Sequence, residues 1–149
     1  MIKAIKKAEE IYKKYGNDLE KILSKEKIEV LEVPLAGRFK EIFFGDYIVL
    51  KDSLSPEEKR ELTAHALAHH YLHAGSHYAA SKKIYTFSNF HERQANVFAA
   101  FLLIPDKKLE KTLYSDIPVN EISDKFDVTP KFALFRLKLF NSMNHKTRI

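Results

Sequence analysis

The chain has 149 residues, no cysteine, a formal net charge of +5, and 45% hydrophobic and 30% charged residues. That length suffices for one domain to bury a core without staples, and the composition is ordinary for a globular protein. Zero cysteines exclude disulfides and thiolate metal sites and fit a reducing, cytoplasmic setting, while so mild a positive charge permits nucleic-acid contact without arguing for it.

The N-terminus, MIKAIKKAEEIYKKYG, is cationic but lacks a continuous apolar core and a small-residue cleavage site. Both absences argue against a signal peptide. No apolar run approaches the ~20 residues that span a bilayer, so no membrane partner is expected. Ile5, Ala8, Ile11, Tyr12, Tyr15, Leu19, Ile22 and Leu23 recur at near-helical spacing. They predict one or two amphipathic helices across 3–24, interrupted near Gly16-Asn17. The period then changes. KIEVLEVPL (27–35) is rich in β-branched residues, and RFKEIFFGDYIVLK (38–51) sets Gly45-Asp46 between two apolar runs, a two-residue hairpin signal. Three short strands follow, forming one small twisted sheet.

Ser55 suits an N-cap, Pro56 the first helical position, and Glu58 completes a capping box. This helix is expected from about Pro56 to Ala74, with Gly75 as its stop. A second start at Ser88-Asn89 leads into HERQANVFAAFLLIP, which Pro105 ends. A polar stretch with no predicted element follows. NEISDKFDVTPKFALFRLKLF (120–140) reads as helix, short turn, helix, with Thr129-Pro130 opening the last, and NSMNHKTRI is expected as a frayed tail. The pattern predicts a single α+β domain over 1–149: an N-terminal helical segment (1–25), a sheet with the candidate site (26–105), and a C-terminal helical segment (106–149).

The chemistry concentrates in TAHALAHHYLH (63–73). At 100° per residue, Leu62, His65, Ala66, His69 and His73 share one helix face. Residues i and i+4 carry Cβ atoms roughly 5–6 Å apart, so the His65 and His69 imidazoles can converge on one ion, the spacing of the H-E-x-x-H peptidases. Zinc takes such nitrogens and wants at least one more protein ligand. The metzincin pattern fails, because positions 72 and 75 are Leu and Gly. Three ligands along one straight helix span too far, so a glutamate from a later helix suits the geometry better, and Glu92 is the candidate. Asn89-x-x-Glu92 is equally a capping box that needs no metal. Spacing leaves both readings open.

The two elements together, TAHALAHHYLH and ERQANVFAAFLLIP, resemble the ImmA/IrrE family of zinc metallopeptidases. That family joins a helix reading roughly H-E-L-G-H-x-x-L-H to a later one reading E-x-x-A-N-x-F-A-A-x-L-L-x-P. Glu92, Ala95, Asn96, Phe98, Ala99, Ala100, Leu102, Leu103 and Pro105 match the second pattern, and the likeness covers roughly residues 25–140. It implies a zincin-like fold in which the sheet packs on helices that include the metal helix, with one edge strand near the zinc to hold an extended substrate. It implies His65, His69 and Glu92 as ligands of Zn2+, a water in the fourth position, and endopeptidase cleavage of a helix-turn-helix repressor of a bacterial mobile element, prophage or stress response.

Position 66 departs from the family. Ala66 stands where the resemblance calls for glutamate, and a methyl group cannot take a proton from a zinc-bound water or pass it to a leaving amine. The chain as it stands is therefore expected to hold zinc and hydrolyse poorly, with Ala66 facing the open coordination position and leaving room for solvent. Either a natural pseudo-peptidase binds its repressor without cutting it, or a parental glutamate has been replaced. The matching ligands and neighbours favour replacement.

Other residues carry weaker signals. His70, His73 and His77 crowd the same region, and for His73 a surface or packing role is preferred over orienting a ligand. Tyr71, Tyr78 and Tyr85 could each stabilise an oxyanion, with core packing the default. Asn96, one turn after Glu92, could bond within the site or simply face solvent. The helix-turn-helix look of 120–140, with Lys131, Arg136 and Lys138, supports DNA binding as a rival reading, opposed by the core that Phe132, Phe135, Leu137, Leu139 and Phe140 require.

Overall fold

The computed structural model describes residues 1–73 and 89–147. In chain order these form α1 (Ile2–Tyr15), α2 (Leu19–Glu26), β1 (Glu29–Val33), β2 (Glu41–Phe44), β3 (Tyr47–Lys51), α3 (Pro56–His73), α4 (Asn89–Leu103), α5 (Asp106–Leu113), α6 (Val119–Lys125) and α7 (Pro130–Thr147). The fold is α+β and zincin-like, as expected. Gly75, His77, Tyr78, Tyr85 and Ser88 lie outside the described residues.

The N-terminal break falls where the sequence puts it. Gly16 takes φ 69° and donates its N–H to Tyr12 O at 2.7 Å, ending α1. Asp18 then caps α2 by accepting from Lys21 N at 3.2 Å. Lys27, in the left-handed region, closes α2 and turns the chain into the sheet.

The strands lie in the order β1-β3-β2, with β1 parallel and β2 antiparallel to β3. Gly45 and Asp46 alone connect β2 to β3, and Gly45 takes the positive φ (57°) that so tight a turn requires. Side chains alternate across a strand. Ile48 and Leu50 point inward with no more than 1% exposure. Phe43 faces Ile48 and Glu41 faces Leu50, so Glu41 stands on the buried face of the sheet beside Phe43. Among the described residues β2 is an edge strand.

α3 starts as expected, with Glu58 N donating to Ser55 Oγ at 3.1 Å. It is buried on most of its circumference, because Ala64, Ala66, Ala68, Leu67, His69 and Leu72 all lie inside. The small alanines let α4 approach closely, and α4 replies with Ala95, Phe98, Ala99 and Leu102. α1 packs across α4 as well, so α4 is the central helix of the core.

In the C-terminal third the sequence pattern does not place one helix individually, and one expectation fails. The polar stretch after Pro105 is helical: α5 buries Leu109 and Thr112 on one face, a single stripe too narrow to stand out among its lysines. The expected frayed tail is the continuation of α7 to Thr147. No Gly or Pro interrupts that stretch, and Met143 packs against the core. Arg136, a candidate DNA contact, has no exposed surface. It donates to Ile104 O at 2.9 Å and to Asp106 Oδ1 at 2.6 Å, over the Phe101 ring at 3.8 Å. Among the described residues no helix is long and apolar enough to cross a membrane.

Candidate metal centre

One helical turn separates His65 from His69 on α3. Their rings stand perpendicular, with centroids 4.8 Å apart, so the Nε2 atoms converge instead of stacking. Glu92 enters from the first turn of α4. Its Oε2 lies 2.8 Å from His65 Nε2 and its Oε1 3.0 Å from His69 Nε2. Both carboxylate oxygens are turned to the histidines. One donor atom from each residue lies within 4.8 Å of the others.

The donor set fits zinc. Ligands about 2.0–2.1 Å from a shared ion in a tetrahedral array stand roughly 3.3–3.4 Å apart. The observed 2.8 and 3.0 Å separations, made by the two different oxygens of Glu92, lie a few tenths of an ångström inside that spacing. Two imidazoles and one carboxylate, with an open fourth position, is also the ligand set of catalytic zinc. His69 is 2% exposed, whereas the Glu92 side chain keeps 42% of its surface, so the site has a buried floor and an open mouth.

The charges are tightly coupled. Burial alone would push the His65 imidazole down, but the Glu41 and Glu92 carboxylates on its two nitrogens reverse this and raise it to about 10. Burial likewise opposes ionisation of Glu92, yet hydrogen bonds from His65 and His69 hold its carboxyl well below the usual range.

Two flanking groups carry little sequence signal. Glu41 of β2 places Oε2 2.9 Å and Oε1 3.2 Å from His65 Nδ1. A charged residue on the inward face of a strand was its one visible mark. Behind His69, His73 Nδ1 lies 2.9 Å from His69 Nδ1, and His73 Nε2 lies 2.8 Å from Gln94 Oε1. His73 is thus no surface residue: at 2% exposure it is buried and bonded to the metal helix's second candidate ligand. Burial pushes its imidazole down to about 4, so it is neutral.

Other candidates lie elsewhere. His70 and Tyr71 both bond Glu26 of α2, at 2.9 and 3.0 Å, and Tyr71 packs against Phe98, so Tyr71 serves packing and not an oxyanion. Asn96 is exposed and lines a cleft of about 580 Å³ that also contains His65. Leu62, Ala99, Phe132 and Phe135 give this cleft apolar walls, with Lys40 and Lys131 at its rim. Ala66 has no exposed surface and belongs to the apolar core. No solvent-filled gap replaces the expected glutamate.

The family model described as the IrrE N-terminal-like domain, peptidase family M78, matches residues 23–138. The chain belongs to this family. Its M78 domain is of the metallopeptidase type, and His65, His69 and Glu92 form a group able to hold the metal that this type uses. No curated protein matches the chain.

Proposed function

We propose that the chain is a cytoplasmic zinc protein of the endopeptidase type whose partner is a helix-turn-helix repressor, and that Ala66 leaves it unable to cut that partner efficiently. The observation that carries this reading is the Glu92 carboxylate placed between the Nε2 atoms of His65 and His69. A zinc ion held there supplies a Lewis acid and lowers the pKa of a bound water to about 7. The chain itself supplies position. α3 and α4 fix the three donors, the cleft beside His65 accepts apolar side chains, and β2 stands at the edge of the described sheet, where an extended segment could lie alongside it. A proton carrier at position 66 is missing, and a positioned general base typically contributes about 10²–10⁴-fold in rate.

A binding-only role, in which the repressor is held and not cut, is the second reading. The complete burial of Ala66 favours it, since the surroundings have closed over the methyl. DNA binding loses support, because buried Arg136 cannot reach a phosphate. The test measures zinc per chain first: close to one is expected, with most of it lost in His69→Ala. Full zinc retention in His65→Ala/His69→Ala would sink the reading. The Ala66 and Ala66→Glu forms are then assayed in parallel against candidate repressors, with a chelator as control. Equal cleavage by both would identify another base.

A further inference from the structure

Each zinc-facing histidine has its second ring nitrogen engaged by this chain. A neutral imidazole carries one proton, and the nitrogen without it is the one that can bind a metal. The hydrogen-bond partner on the far side therefore decides which nitrogen faces the ion.

For His65 the partner is a carboxylate, which when ionised can only accept. Glu41 lies 2.9 Å from His65 Nδ1, so when His65 gives up a proton to bind a metal it keeps the one on Nδ1 and frees Nε2. For His69 the control is one step removed. Gln94 Oε1 is an acceptor only, so His73 Nε2, at 2.8 Å, carries a proton. A ring that gives its Nε2–H to Gln94 has Nδ1 as its acceptor, and that Nδ1 faces His69. His73 Nδ1 at 2.9 Å then accepts from His69 Nδ1–H, so the nitrogen that His69 would turn to a metal, giving up the proton it shares with Glu92, is Nε2. Both chains of bonds point the same way.

We propose that Glu41 and the His73–Gln94 pair are positioning residues that fix the tautomers of His65 and His69 and so present both Nε2 atoms as a preformed zinc-binding pair. The proposal rests on the zinc reading above and adds residues from β2 and from the buried side of α4. Such outer partners are typically worth about 10–100-fold in metal affinity.

The experiment measures zinc affinity by competition with a chromophoric chelator, in the full chain and in two pairs of variants. Glu41→Ala and Gln94→Leu remove the acceptor; Glu41→Gln and Gln94→Glu keep an acceptor oxygen. The expected result is a drop of about 10–100-fold for the first member of each pair and a change of only a few-fold for the second. Circular dichroism of the zinc-free forms confirms that all four are folded. In the zinc-loaded chain, slowly exchanging Nδ1–H protons of His65 and His69 should appear by proton NMR. The His65 signal should vanish in Glu41→Ala and the His69 signal in Gln94→Leu, and each should return in its conservative partner. Folded Glu41→Ala and Gln94→Leu that bind zinc as tightly as the unaltered chain would overturn the proposal and leave the zinc reading standing. Equal losses in conservative and non-conservative variants would overturn it too. An unaltered chain that binds no zinc would instead overturn the zinc reading itself.

Discussion

Ala66 is a core residue as well as a missing base, and the two facts oppose each other. A glutamate there supplies the proton carrier, but its longer side chain enters a position with no exposed surface. Overpacking of this kind typically costs about 1–3 kcal/mol, less if the carboxylate swings into the cleft. Ala66→Glu should therefore lower the urea midpoint of the zinc-free protein while raising repressor cleavage by about 10²–10⁴-fold. Equilibrium unfolding and single-turnover cleavage on the same preparations check both halves. His65, His69 and Glu92 were legible because helical spacing and a matched second motif both point to them. Glu41 and Gln94 were not, since their placement depends on which elements lie side by side, and for His73 the orienting role was visible but not preferred. The alternation that turns Glu41 inward beside Phe43 was visible, but its target on α3 was not.

Among the elements, helix starts and the hairpin turn were the most legible, because each rests on chemistry within four residues. Ser55 is a direct case. Its hydroxyl accepts from Glu58 N, so Ser55→Ala should destabilise the protein by about 1 kcal/mol, read as a shift in urea midpoint. α5 was not delimited within the helical 106–149 segment for the opposite reason: its apolar stripe is short and only tertiary packing reveals it. The α2–α3 contact gives a pH-dependent prediction. Burial works against ionisation of Glu26, but hydrogen bonds from His70 and Tyr71 outweigh it and hold the carboxyl below its ordinary 4.5. A carboxyl lowered by folding contributes stability above its unfolded value and loses it as pH falls through the folded one. Glu26→Gln should destabilise the zinc-free protein near neutrality. The gap from the unaltered chain should shrink as pH falls below about 4.5, which urea midpoints across that range would measure.

For the molecule as a whole, the sequence showed which faces are inward but not the order of the strands. Parallel pairing of β1 with β3, on the far side from β2, joins segments that local pattern cannot relate. The Arg136 anchor was equally hidden, since a basic residue in a helix reads as surface until its partners are seen. It ties α7 to the corner between α4 and α5. Asp106→Ala leaves that buried guanidinium short of an acceptor and should cost about 1–3 kcal/mol, measured by urea unfolding, without altering zinc stoichiometry. The place of β2 at the edge of the described sheet has a different kind of consequence if the proposed partner docks there. A segment that docks along an edge strand surrenders its own helix or sheet first, so the free energy of opening that segment is subtracted from its binding. A partner whose contacted stretch is firmly folded stays out of reach however well its side chains fit, while one that frays locally is taken. Selection at such an edge works on the partner's weakest structure before it works on its sequence, and any signal that loosens that stretch becomes a trigger without touching this protein at all.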